Sequence, residues 1–139
     1  MATLTERITS LATEVGSWLK KLRTSNIVFV IGDNVNDITA KVYGDFQVPS
    51  AYTIVGWTLL ARQSGSVVVE ISRSTYANFP TVSVITASAK PTLSGAQKAT
   101  STTLTGWTTS LLADDALTIA VNSAAGIKQV TLVLQVRKV

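Results

Sequence analysis

The stretch KQVTLVLQVRKV, residues 128–139, sets Val130, Leu132, Leu134 and Val136 against Gln129, Thr131, Gln135 and Arg137. Side chains on a strand alternate between faces, so this period of two predicts an antiparallel strand with one face buried and one wet. Upstream, similar β-type runs recur: Asn26–Ile31, Ile38–Tyr43, Phe46–Val48, Thr53–Ala61, Val67–Ser72, Thr81–Ala87, Thr102–Ser110 and Leu117–Val121. Breakers separate them, among them Gly44-Asp45, Ser64-Gly65-Ser66, Asn78-Phe79-Pro80, Asp114-Asp115 and Ala125-Gly126. Short strands with turn signals at this spacing predict an antiparallel β-sandwich or jelly roll. One echo stands out: Thr53-Ile54-Val55-Gly56-Trp57-Thr58 returns as Thr103-Leu104-Thr105-Gly106-Trp107-Thr108. It reads as equivalent strand positions in the two halves of the sandwich, with both tryptophans in the core.

Residues 3–23 follow a different period. Leu4, Ile8, Leu11, Val15, Trp18 and Leu22 are spaced alternately by four and three, a heptad seam with Ile8, Val15 and Leu22 at a and Leu4, Leu11 and Trp18 at d. Ala12 and Leu19 at e widen the apolar face. Thr3 and Glu6 make a capping-box pattern, with the acid early and Lys20, Lys21 and Arg23 late, as the helix dipole prefers. Two readings stay open: a helix packed on its own sheet, or a coiled-coil stalk that self-associates. The a/d chemistry suits two strands and the wider face suits three or more. The chain therefore divides into an N-terminal coiled-coil or attachment helix, residues 1–24, and a β-sandwich head, residues 25–139.

Composition narrows the chemistry. The 139 residues are 46% hydrophobic and only 14% charged, where a soluble domain carries about 25%. Ser and Thr fill about a quarter of the chain. Cysteine and histidine are absent, which excludes disulfides, Cys/His zinc sites and Ser-His-Asp or Cys-His catalysis. The net charge of +4 is not gathered into a basic stripe, so nucleic-acid binding is not expected. No run approaches the roughly 20 apolar residues of a membrane span, and MATLTERITS has no signal-peptide pattern. Synthesis in the cytoplasm is expected.

No carboxylate pair suggests a glycosidase. Glu70 lies in VVVEISRS, where alternation puts Val67, Val69 and Ile71 on one face and Glu70 outward with Val68 and Ser72. Asp114-Asp115 and Asp33–Asp37 read as turn residues. The segment DNVND lacks the Gly and terminal Glu of a calcium loop, so no metal site is assigned. Tyr76 and Phe79, in STYANFP, are the candidate exposed aromatics for a ligand or partner.

Several segments carry a family resemblance. TLTERITSLATEVGSWLKKLR resembles the short helical leader of tailed-phage structural and tail-fibre proteins. Residues 53–80 and 85–139, with GWTLLA, SGSVVVEI, TYANFP, KPTLS and LTGWTT, resemble a recurrent C-terminal domain of phage virion proteins. The resemblance implies a homotrimer on the virion surface, with a coiled-coil helix, β-sandwich heads, no enzymatic activity and no cofactor. The resemblance does not say which part of the virion carries it; 139 residues are short for a whole tail fibre, so a head fibre or capsid decoration is expected, docked through the helix to other virion proteins. The alternative it leaves is a tail-fibre tip that recognises host surface glycan through Tyr76 and Phe79.

Overall fold

The computed structural model describes residues 1–139. One helix, α1 (Leu4–Arg23), precedes eight strands: β1 (Thr24–Ile31), β2 (Lys41–Gln47), β3 (Tyr52–Ser74), β4 (Ser83–Val84), β5 (Thr92–Ser101), β6 (Ser110–Leu111), β7 (Ala116–Ala125) and β8 (Val130–Lys138). All pairings are antiparallel, in the order β1-β8-β3-β7-β2, with β4, β5 and β6 also on β3. The architecture is mainly β, with a single N-terminal helix.

The organising element is β3. Its first half pairs with β8, from Tyr52↔Lys138 to Ala61↔Val130, and its second half with β7, from Ser66↔Ala125 to Ser74↔Ala116. Straight, the twenty residue steps from Thr53 to Arg73 would span about 65 Å. Yet Thr53 pairs with Ser110, and Arg73 Nη1 donates to the Ser110 carbonyl at 2.9 Å. The strand has therefore folded back on itself, and one curled sheet makes both layers of the sandwich. The turn lies at Ser64-Gly65-Ser66. A Cβ on Gly65 would run into the Ala125 carbonyl and the Ile127 side chain, so the close backbone approach there depends on glycine.

The fold-back faces the apolar sides inward. Ile54, Trp57 and Leu59 from one half of β3 and Val67, Val69 and Ile71 from the other belong to a single buried cluster. Leu117, Ile119 and Val121 of β7 and Val130, Leu132, Leu134 and Val136 of β8 complete it. The alternation of residues 128–139 holds. The two ends of the strand order also meet: Phe29 of β1 and Phe46 of β2 stack with ring centroids 5.8 Å apart.

Several expected boundaries change. Ser64-Gly65-Ser66 bends one strand instead of separating two, and Gly44-Asp45 lies inside β2 at a register shift. The expected strand Thr81–Ala87 shrinks to Ser83–Val84. Thr102–Ser110 is a loop that reaches strand geometry only at Ser110, so the second Gly-Trp segment is no strand. Gly106 there takes φ +78°. Both tryptophans are nonetheless buried. β5, TLSGAQKATS, was not expected as a strand; it is mostly exposed and broken at Gly95, so it carries little alternation to read.

Candidate functional site: the exposed helix seam

The start of α1 is fixed by the expected capping box. Thr3 Oγ1 accepts from the Glu6 N–H at 3.1 Å, and the Thr3 N–H donates to Glu6 Oε2 at 2.6 Å. Glu6 lies in the first turn, and Lys20, Lys21 and Arg23 in the last. At the other end no glycine intervenes. Thr24 is extended (φ −82°, ψ 132°), its N–H donates to the Lys21 carbonyl, and the chain enters β1 at once. Helix and sheet edge are thus joined without a loop.

No residue of the helix is buried. Every seam position stands in solvent, from Val15 at 44% exposed to Leu22 at 81%, with Leu4, Ile8, Leu11 and Trp18 between them. Leu19 is exposed as well. The helix does not pack on its own sheet, which removes one of the two sequence readings. What remains is an apolar stripe about 30 Å long, borne on a helix attached at one end.

Tyr76 and Phe79 are exposed, as expected. They lie in the turn after β3, where the Phe79 N–H donates to the Thr75 carbonyl at 3.1 Å. Tyr76 borders a shallow hollow with Gln47 and Asp114. A separate polar groove of about 470 Å³ runs past Arg73, Asn78, Ser83 and Thr108. The structure does not bring the two aromatics together over that groove. It does place them at the helix end of the sandwich, because Thr24 pairs with Arg137, Arg137 with Thr53, and Thr53 with Ser110, to which Arg73 is bonded.

The opposite end is a web of turns. Asn34 N–H donates to the Lys128 carbonyl, Gln63 Nε2 to Asn34 Oδ1, and the Lys128 N–H to Gln63 Oε1. Lys128 Nζ lies 3.3 Å from Asp37. Asp33 caps this turn: its carboxylate accepts the backbone N–H groups of Asn36 and Val35 and the Asn36 amide, which hold its pKa down to about 2.

Two further acids, Glu70 and Asp115, are tied into the fold. Glu70 is half-buried beside Lys90, whose Nζ lies 2.8 Å from Oε2, and it also accepts from Asn122; the lysine holds its pKa below the usual carboxylate range. Val67, Val69 and Ile71 are buried as expected, but so is Ser72, which was placed outward with Glu70. Asp115, expected in an open turn, is buried. Its Oδ2 accepts the Leu112 N–H at 2.9 Å and faces Arg73 Nε at 3.4 Å. Sequence reading missed this pair because Arg73 and Asp115, far apart in the chain, meet only through the pairing of β3 with β7, where Ser74 lies beside Ala116. No helix of the chain is long and apolar enough to cross a membrane.

No family model and no curated protein matches the chain. Solved structures that resemble it do so at low similarity. One is a complex of Aeromonas sobria serine protease with its chaperone (8% identity, 84% of this chain and 27% of that one, TM-score 0.36). A second is CpGH89CBM32-6 of Clostridium perfringens (11% identity, 82% and 94%, TM-score 0.40). A third is the capsid asymmetric unit of cyanophage Pam1 (16% identity, 84% of each chain, TM-score 0.32). The chain spans about a quarter of the length of the first.

Proposed function

We propose that this chain is a non-enzymatic structural protein of a phage virion surface, a homotrimeric head fibre or capsid decoration assembled and attached through α1. The observation that carries the self-association is the unburied heptad seam, Leu4, Ile8, Leu11, Val15, Trp18 and Leu22. An isolated helix of 20 residues is marginal in water, and most helical stability in proteins comes from packing an apolar face. This one has no face of its own molecule to pack on. The virion setting rests on the sequence resemblance of the leader and the head segments. A non-enzymatic role is supported by the carboxylates, since Glu70, Asp33 and Asp115 are each spent on structural hydrogen bonds. The tail-tip alternative is disfavoured by position: Tyr76 and Phe79 sit at the end from which the helix leaves.

Sedimentation equilibrium tests the assembly. The wild type is expected at three times the 14.7 kDa chain mass, and the Ile8→Asp/Leu11→Asp variant at one. A monomeric wild type at high micromolar concentration would overturn the reading. Antibody to residues 25–139, gold-labelled on intact virions, tests the setting: label over the capsid supports the head-fibre role, and label confined to the tail end defeats it.

A further inference from the structure

We infer that the contact between copies does not stop at the helix but continues onto the outer face of β1, β8 and the first half of β3, with Val28, Val30, Leu60 and Val133 packing against a second copy of this chain. The inference rests on the helix-mediated assembly proposed above and adds the sheet surface that completes it.

Four observations lead there. Val28, Val30 and Leu60 are 59%, 52% and 50% exposed, on strands whose other faces form the core. The sheet register gathers them: Val28 lies beside Val133, which lies beside Thr58, and Val30 beside Thr131, which lies beside Leu60. These two rows carry no charge across three strands, so the patch suits another neutral apolar surface better than a charged partner. It also begins at Val28, five residues past the last helical residue Arg23, and Thr24 enters β1 with no intervening loop.

That last point selects the occupant. Helices in contact run about 8–10 Å apart. When copies associate through parallel helices, their Thr24 residues must leave the bundle at nearly that separation. The β1 strands then start side by side, which brings a face a few residues along within reach of the neighbouring copy. Area points the same way. A large aliphatic side chain covers roughly 60–120 Å², while a stable interface buries about 800 Å² per partner. The seven side chains of the helical face reach that only if wholly covered; four more on the sheet supply the remainder.

The full-length chain can be tested with two changes. Val28→Lys/Val30→Lys places like charges on the proposed contact, and both positions are exposed in the single copy, so the fold should survive; near-UV circular dichroism verifies it. Self-association measured by sedimentation is expected to weaken at least tenfold. Because the chain has no cysteine, Val30→Cys with a short bismaleimide is expected to yield linked dimers, whereas Ser94→Cys on exposed β5 is expected to yield none. If the wild type associates, Ile8→Asp/Leu11→Asp disrupts it, and the lysine variant associates as tightly as the wild type, the sheet contact is overturned while the helical assembly stands. If the wild type is monomeric, both fall.

Discussion

Trp57 and Trp107 share a Gly-Trp-Thr context and comparable burial, but their ring nitrogens differ. Trp107 Nε1 donates to the Ala89 carbonyl at 2.8 Å, whereas Trp57 Nε1 is buried without a partner. Replacing a bonded group leaves its partner unsatisfied, which costs about 1–3 kcal/mol; removing an unpaired one relieves a penalty. Trp107→Phe should therefore destabilise more than Trp57→Phe, by about 1–2 kcal/mol in urea unfolding. Equal losses would contradict the asymmetry. A second expectation concerns acid. The Asp33 carboxylate is held near pH 2 by the Asn36 and Val35 N–H groups, and Glu70 is lowered by Lys90. Both groups ionise more readily folded than unfolded, so each contribution is present above the group's unfolded pKa and is lost as pH falls through its lowered folded one, a window that for Asp33 runs from about 4 to about 2. The melting temperature should drop across that window, and less steeply in Asp33→Asn and Glu70→Gln.

The elements show what the sequence could and could not reveal. The helix was legible to the residue, because its cap and its heptad are local: Thr3, Glu6 and the seam need no knowledge of anything beyond the next turn. β8 was legible because its alternation reports a core on one side only. β3 was not read as one strand, because glycine and serine at 64–66 signal a turn whether the chain ends its strand there or bends it. β5 was missed since a strand with little burial leaves little pattern, and Thr102–Ser110 was misread because buried Trp107 imitates a strand residue from within a loop. The candidate seam was visible in full, whereas the valine patch on the sheet was not. Outward valines read as core until pairing shows which face they occupy. The bend at Gly65 carries its own test. Gly65→Ala puts a methyl against the Ala125 carbonyl and Ile127, and should cost about 1–3 kcal/mol by overpacking. Gly16→Ala on the helix, with nothing within 4 Å, should cost nothing and raise helicity by circular dichroism.

At the scale of the whole molecule, folding β3 in half gives the sandwich two unlike ends. One bears the helix, the Tyr76–Phe79 turn and the termini of β3, all close to Ser110. The other bears the turns around Asn34, Gln63, Gly95 and Lys128, one β1 length away from the helix. The exposed aromatics Tyr76 and Phe79 belong to the helix end. Were the molecule docked through α1, as proposed above, the web of turns would face outward. It is hydrophilic and self-bonded, and Gly95 of β5 is tied into it: its N–H donates to Ser66 Oγ and its carbonyl accepts from Ser64 Oγ. The Asp33–Asp37 turn at the same end is exposed along its length and lies outside every strand. A short epitope grafted at Val35 would stand away from core and helix, and in an assembly formed through α1, as proposed above, it would be displayed once per chain, a scaffold for multivalent display.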